Sequence, residues 1–259
     1  MKNDYLQPSQ ALLKKWAGLN DAEARRGEGI FLAEGVKVVT ELFHAAWPAR
    51  ALLVLPEKIK YWKTAIKEKP EAVPVYQLSS AQWHKISQDK EPEGIMALAS
   101  LPPQSSWGEA IKKGSGNALL VHEINNPANL GALLRSAHWF GFTNIILSEK
   151  SVDYTNPKTI RAAMGGFFYL TISANVDLMG ALPEIKKTSF VVGSAARQGI
   201  APRSTGRRTA LLLGSESHGL PEELLAAADE KWTIPGCGQA ESLSLPQAAA
   251  VMMYEIAKT

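Results

Sequence analysis

Three segments of the chain combine residue types that could bind a ligand and act on it. They are NNPANLG at 125–131, LLLGSESHGLPEEL at 211–224 and IPGCGQAESLSLPQAAA at 234–250. Glycine lets a backbone approach a ligand closely, and the arginine that follows the first segment, Arg135, could hold an anion. Each segment also has an ordinary interpretation: a turn, a helix-start charge at Glu216, or an N-cap at Ser242 or Ser244.

Each segment follows an apolar run of strand length. The runs in the C-terminal part are ALLVHEI, NIILS, FFYLTIS, SFVVGSA, TALLLGS and KWTIPG. Helical patterns alternate with them, and one from about Ala128 to Phe140 carries Arg135 on its first turns. Continuously apolar strands that alternate with helices predict an α/β fold with a parallel sheet covered on both faces. Such sheets bind ligands at the carboxyl ends of their strands, where the three segments lie.

The N-terminal part predicts a smaller α/β domain. It contains a helical pattern with Val36, Val39, Leu42 and Phe43, the strand candidates ARALLVLP and GIMALAS, and a short capped helix in SSAQWHKIS. The stretch SLPPQSSWGEAIKKGSGN is rich in Pro, Ser and Gly and indicates a linker. We therefore predict a domain over 1–100, a linker over 101–116 and a second domain over 117–259.

Composition excludes several classes of protein. The 259 residues are 46% hydrophobic and 20% charged, as expected of a folded domain protein. A membrane-spanning run and a signal-peptide core are both absent, which favours the cytoplasm. Cys237 is the single cysteine and cannot form an internal disulfide. The five histidines, including His122 and His218, lack metal-ligand spacing, so we expect no metal site.

The net charge of +3 is too small to prove a nucleic-acid partner. Residues 1–116 hold 16 Lys and Arg against 13 Asp and Glu, whereas residues 117–259 hold 12 of each. Acidic residues are absent between Ile185 and Ser215, a window that contains several arginines. This basic window could bind phosphates, although composition alone also fits a solvated surface loop.

Together and in this order, the three segments resemble the motifs of the SpoU/TrmH family, RNA ribose 2′-O-methyltransferases of the SPOUT superfamily. The matching residues are Asn129, Gly131, Arg135, Phe140 and Gly141 in the first motif, Gly214, Glu216, Gly219 and Leu220 in the second, and Ile234, Pro235, Gly238, Ser242 and Leu243 in the third. DYTNPKTIRAAMGGFFYLTI also resembles the family's segment that follows the first motif. The likeness covers Asn117 to the C-terminus, while the N-terminal part resembles the family's substrate-binding domain more loosely. Ser244 stands where the third motif usually has Asn, and its single hydroxyl offers fewer hydrogen bonds than that amide.

The resemblance implies a deep trefoil knot in the C-terminal domain, S-adenosylmethionine as cofactor and a homodimer that packs through the knotted region. It implies a methyl transfer to a ribose 2′-hydroxyl of structured RNA. The residues expected to hold the cofactor are Gly193, Leu213, Gly214, Ile234, Ser242 and Leu243.

The same resemblance assigns the catalytic residues. Proposals for the family make this arginine a general base, but a guanidinium normally stays protonated, so we expect Arg135 to hold the target phosphate and stabilise the developing alkoxide instead. Asn129 would hold the target ribose or fix its loop, and Glu216 would accept from Arg135 or Asn129. The residues expected to contact RNA are Arg25, Arg26, Arg197, Arg203, Arg207 and Arg208.

Other functions fit less well. SESHG approaches the nucleophile elbow of hydrolases, but Ser215 replaces its first glycine and no histidine follows His218. A dinucleotide fingerprint and a Walker A loop are absent from the sequence. A non-catalytic RNA-binding protein with the same fold remains open because of Ser244. Ribosomal RNA is favoured as the substrate, and transfer RNA is the alternative.

Overall fold

Two structural units share the chain, and the second contains all three candidate segments. The computed structural model describes residues 5–103, 106–113, 116–239 and 242–258. The first unit comprises Met1–Pro103 and Asp153–Phe168, and the second comprises Gln104–Val152 and Tyr169–Thr259. The sequence predicted one continuous domain over 117–259, whereas the segment 153–168 groups with the first unit.

The first unit is built on a four-stranded mixed sheet. Its elements before residue 103 are α1 (Gln10–Gly18), α2 (Ala22–Glu28), β1 (Ile30–Glu34), α3 (Val36–His44), β2 (Ala49–Val54), α4 (Lys63–Glu68), β3 (Val75–Gln77), α5 (Ser80–Ile86) and β4 (Ile95–Ser100). The strand order is β1-β4-β2-β3, with β4 antiparallel to both neighbours. The helix α5 begins with a capping box, in which Ser79 Oγ accepts from the Gln82 amide and the Gln82 side chain accepts from the Ser79 amide.

The remaining elements form the rest of both units. In chain order they are α6 (Trp107–Lys113), β5 (Asn117–Val121), α7 (Pro127–Trp139), β6 (Phe142–Ser148), α8 (Pro157–Ala162), β7 (Thr171–Val176), α9 (Leu178–Lys186), β8 (Phe190–Ser194), β9 (Thr209–Leu213), α10 (Glu222–Ala227), β10 (Glu230–Trp232) and α11 (Leu245–Ala257). Six of these strands form one sheet in the order β10-β8-β9-β5-β6-β7, and every neighbouring pair is parallel. The predicted parallel sheet is therefore confirmed. Among the described helices, none is both long and apolar enough to cross a bilayer.

The predicted linker contains a helix. α6 lies within 101–116, and its Ile111 is buried in the core of the second unit beside Leu182 and Ile185. The Pro- and Ser-rich residues before it suggested a linker, but one buried isoleucine and a partly buried Trp107 anchor the helix by apolar burial.

The run FFYLTIS was predicted to be one strand, but only its second half is. Gly166–Tyr169 forms a 3₁₀ turn, and β7 begins at Thr171. The reason is an aromatic cluster in the first unit, where the rings of Phe167 and Phe168 pack against Trp47 at centroid distances of 5.7 and 5.4 Å. This packing outweighs the preference of aromatic residues for an extended backbone.

Candidate active site at the strand ends

The parallel sheet collects the three candidate loops at one edge. The strands β10, β8, β9 and β5 are consecutive neighbours, so their carboxyl ends adjoin. The first candidate segment follows β5, the second follows β9 and the third follows β10. This edge is where open α/β sheets bind their ligands.

Asn129 and Glu216 meet across the ends of β5 and β9. The two strands are paired in register as far as Val121 and Leu213. The Asn129 side chain then donates from Nδ2 to Glu216 Oε1 over 3.2 Å. Two of the predicted catalytic residues are thus in direct contact.

A cap that sequence reasoning did not single out orients Asn129. The Asn126 side chain accepts from the amides of Ala128 and Asn129 at 2.9 and 3.3 Å, and Pro127 occupies the first turn of α7. The helix therefore begins with Asn129 held at the end of β5. The Asn-Pro pair was the signal, and it was interpreted only as a turn.

Gly214 and Gly219 shape the loop that carries Glu216. Ser215 and Gly219 exchange two backbone hydrogen bonds of 3.1 and 3.0 Å, and Gly219 has a φ of 68°. A Cβ on Gly214 would lie 2.0 Å from the carbonyl carbon of Gly219. Only glycine fits this position, so the tight loop that projects Glu216 depends on it.

Arg135 lies apart from this pair. It is the ninth residue of the thirteen in α7, not on the first turns of the helix as predicted. Six residues of helix place it about 9 Å along the axis from Asn129 and on another face. The side chain is exposed, and within the described part of the chain it makes no hydrogen bond or ion pair. The structure therefore joins Glu216 to Asn129 and leaves the guanidinium available to a ligand.

The residues predicted to hold a cofactor differ in exposure. Leu213 is fully buried at the end of β9, Ile234 is partly buried, and Leu243 is 48% exposed beside the exposed Ser242. Gly193 lies inside β8, and a Cβ there would be 3.1 Å from a methyl of Leu225 in α10. Its lack of a side chain therefore serves the packing of α10.

Ser244, the departure from the family motif, is the N-cap residue of α11 but makes no capping bond. Its Oγ donates instead to Gln247 Oε1 over 3.1 Å. Ser242, the other predicted cap, lies two residues before the N-cap position. The hydroxyl at 244 is thus held by its own helix.

Arg25 has a structural environment that excludes the predicted contact with RNA. Its side chain is 1% exposed and donates to Asp153 Oδ2 at 2.7 Å, to Thr155 Oγ1 at 3.0 Å and to two backbone carbonyls. The neighbouring Arg26, at the end of α2, is exposed. Only Arg26 of this pair can reach a ligand without rearrangement.

The arginines of the basic window lie on two edges of the sheet. Arg197 follows β8 at the carboxyl edge and is exposed, and Arg203 forms an ion pair with Glu230. Arg207 and Arg208 directly precede β9, so they lie at the amino edge. These four residues therefore do not form a single patch around Asn129.

Comparisons with known proteins agree with this arrangement. The family model described as the SpoU rRNA Methylase family matches residues 116–254, and the model of the MRM3-like substrate binding domain matches residues 11–97. The chain is 28% identical over 248 residues to the 23S rRNA (guanosine(2553)-2′-O)-methyltransferase RlmP of Bacillus subtilis, which covers 94% of this chain and 95% of that protein.

Solved structures share the fold over nearly the whole chain. One of a TrmH-family protein from Porphyromonas gingivalis has a TM-score of 0.78 at 24% identity, covering 97% of this chain and 98% of that one. A structure of an rRNA methyltransferase from Sinorhizobium meliloti with bound AdoMet has a TM-score of 0.81 at 22% identity, covering 98% and 97%.

Proposed function

Since the chain belongs to the SpoU rRNA methylase family, we propose that it transfers a methyl group from S-adenosylmethionine to a ribose 2′-hydroxyl of ribosomal RNA. The observation that carries the proposal is the hydrogen bond between Asn129 and Glu216 at the adjoining ends of β5 and β9. The relative in Bacillus subtilis, which acts on 23S rRNA, supports ribosomal RNA over transfer RNA. A ribosomal RNA substrate also agrees with the predicted cytoplasmic location.

Glu216 determines how Asn129 presents its amide. A carboxylate only accepts hydrogen bonds, so it takes an N–H of Asn129 and fixes which end of the amide faces it. Oδ1 of Asn129 then faces away from Glu216, and within the described residues no donor occupies it. We infer that Oδ1 accepts a hydrogen bond from the target 2′-hydroxyl and orients an oxygen lone pair toward the methyl group.

Arg135 supplies the positive charge of the proposed site. Its exposed guanidinium would bind a phosphate next to the target ribose through paired N–H donors. It would also stabilise negative charge that develops on the 2′-oxygen as the hydroxyl proton leaves to solvent. Arg135 is therefore proposed as an electrostatic catalyst rather than as a base, because guanidinium groups stay protonated.

The loop after β10 fits the cofactor. A Cβ added to Gly236 or Gly238 would meet no atom within 4 Å, so the backbone there is open to a ligand. Leu243 offers half-exposed apolar surface suited to an adenine ring. The residues that we propose to line the pocket are Leu213, Gly214, Ile234, Ser242 and Leu243. When bound, S-adenosylmethionine supplies an electrophilic methyl group on a sulfonium.

Two packed helices favour the expected homodimer. α7 and α11 contact each other, with the rings of Phe140 and Tyr254 at 6.2 Å. Both helices also expose large apolar side chains, with Trp139 82% and Tyr254 51% exposed. We propose that a second copy of the chain covers this surface, and that the strands beneath it are threaded as the expected trefoil knot. Sedimentation of the purified protein would test the dimer.

Two measurements test the function. The purified protein should transfer tritiated methyl groups to ribosomal RNA, and 2′-O-methyl mapping should show a site present only in cells that carry the gene. Calorimetry with S-adenosylmethionine separates the enzyme from a non-catalytic RNA-binding protein, which should give no heat of cofactor binding. Absence of both cofactor binding and methyl transfer would refute the proposal.

A further inference from the structure

A cleft of about 370 Å³ opens at the amino edge of the parallel sheet. Its lining includes Lys186, Ser189, Phe190, Arg207, Arg208 and Asp229. Phe190 begins β8 and Arg208 directly precedes β9. The cleft therefore lies across the sheet from Asn129 and Glu216, and five residues of strand separate the two edges by roughly 16 Å.

The lining of the cleft carries more cations than acids, and its acid does not neutralise the two arginines. Its one acid, Asp229, is already paired, because Oδ1 lies 2.8 Å from Lys186 Nζ and Oδ2 accepts from the Val191 amide at 2.8 Å. Arg207 and Arg208 therefore face the cleft without a carboxylate of their own among the residues that the structure describes.

Contacts with the protein hold both arginines in place, and these contacts leave some of their N–H donors unused. The Arg207 guanidinium lies 3.8 Å from the centroid of the Phe190 ring, a cation–π contact that uses none of its N–H groups. Arg208 donates from Nε to the Gly116 carbonyl at 3.0 Å, which leaves its terminal nitrogens free to turn to another acceptor. Two oriented cations of this kind form a preorganised anion site.

Two buried polar groups of the cleft lack partners. Ser189 is only 6% exposed, and its Oγ has no hydrogen-bond partner within the described chain. The same holds for Arg208 Nη2. Partial burial also lowers the pKa of Arg208, since the cation has lost water without gaining a counterion. Buried donors are nearly always paired in native proteins, so unpaired donors beside excess positive charge point to an anionic acceptor.

We propose that this amino-edge cleft binds a phosphate group of the RNA backbone, away from the nucleotide that is methylated. A phosphate oxygen can accept from the exposed Arg207, whereas the buried Arg208 Nη2 and Ser189 Oγ reach a second oxygen only when their side chains rotate toward the cleft. The inference rests on the proposed function, since it takes RNA as the ligand. RNA bound both here and at Asn129 would be held at both edges of one sheet, which fixes its orientation on the protein.

The test compares two variants that each remove one positive charge. Arg207→Gln removes a cation of the cleft, whereas Lys187→Gln removes a nearby exposed cation that pairs with Glu184 outside it. Affinity for a 23S ribosomal RNA transcript is measured by fluorescence titration between about 50 and 200 mM salt. We expect Arg207→Gln to weaken binding and to reduce the slope of log K against log salt by about one. Lys187→Gln should change neither, and equal behaviour of the two variants would overturn the proposal.

Ser189→Ala provides a variant without a change of charge. It should weaken RNA binding several-fold while it leaves the salt slope unaltered, because the lost contact is a neutral donor. Thermal melting of each variant checks that it is folded. Binding to RNA as tight as that of the wild type would contradict the role of the hydroxyl.

Free inorganic phosphate is the alternative ligand for this cleft, because it presents the same oxygens as a phosphate of RNA. Inorganic phosphate is therefore titrated against the wild type and Arg207→Gln by calorimetry. Phosphate binding that Arg207→Gln abolishes, without any loss of RNA affinity, would overturn the assignment to RNA. The comparison of RNA affinities is independent of methyl transfer, so failure of the proposed function would show in the methylation assay and not here.

Discussion

The side-chain amide of Asn129 lies 3.2 Å from the carboxylate of Glu216, although 87 positions separate the two residues in the chain. Both residues are at least partly open to solvent, and a hydrogen bond there contributes little to stability. Its consequence is geometric, because it fixes which atom of the Asn129 amide faces Glu216 and which faces away from it.

Loss of Glu216 should therefore affect turnover more than folding. In Glu216→Ala the Asn129 amide can rotate freely, and we expect kcat for methyl transfer to fall on the order of tenfold or more, with the melting temperature and cofactor affinity unchanged. The matched control is Glu222→Ala, an exposed acid of α10 that pairs with Lys231. Equal turnover in both variants would show that the contact does not position Asn129.

Replacement of Arg135 should separate chemistry from cofactor binding. Arg135→Ala removes the positive charge proposed to face the 2′-oxygen, so methyl transfer should fall by about 10² to 10³-fold while calorimetry shows unchanged affinity for S-adenosylmethionine. Arg135→Lys keeps the charge without the paired donors and should retain intermediate activity. Wild-type turnover in Arg135→Ala would rule out the proposed role.

The sequence predicted those strands and helix starts that depend on residues within the same segment. The five buried residues Thr209–Leu213 form β9, and Ser79 caps α5, because apolar runs and cap residues act on their own segment. The sheet edge where the candidate site lies followed from the alternation of strands and helices. The contact between Asn129 and Glu216 was one of two alternatives, and position along α7 selects between them, because Asn129 is in the first turn, beside the end of β5, whereas Arg135 is six residues farther on.

Long-range packing explains what the sequence did not predict. Arginine is usually a surface residue, but Arg25 is buried and donates to Asp153, which is 128 positions away in the chain. Arg197, Arg207 and Arg208 belong to one basic window of the sequence. In the fold, Arg197 lies at the carboxyl edge of the sheet after β8, whereas Arg207 and Arg208 lie at the amino edge before β9. Neither outcome is visible in spacing or charge along the chain.

The loop that carries Glu216 should depend on glycine at position 214. Gly214→Ala would place a Cβ 2.0 Å from the carbonyl carbon of Gly219, a backbone atom that cannot move aside cheaply. We expect a loss of roughly 2 kcal/mol or more in the free energy of unfolding, measured by urea denaturation. Gly238→Ala, where a Cβ meets no atom within 4 Å, should be close to neutral. Equal stability of the two variants would contradict the steric argument.

The ion pair between Arg25 and Asp153 should make stability depend on pH. Burial of Asp153 raises the pKa of its carboxyl, but hydrogen bonds from Thr155 and Arg25 outweigh burial, so the folded pKa lies below its usual value. A depressed pKa contributes stability that is present above the unfolded value of about 3.9 and is lost as the pH falls through the folded pKa. The free energy of unfolding of the wild type should therefore decrease below about pH 4.

Arg25→Met tests this relationship. It leaves the partly buried Asp153 without its cation and should cost about 3 to 5 kcal/mol at pH 7, as expected when one partner of a buried pair is removed. Because the pKa of Asp153 then rises, the further loss between pH 4 and pH 3 should be smaller than in the wild type. The control is Arg26→Met, an exposed neighbour on the same helix, which should alter neither quantity. Urea denaturation at each pH measures both effects, and identical curves for Arg25→Met and Arg26→Met would show that the pair does not stabilise the first unit.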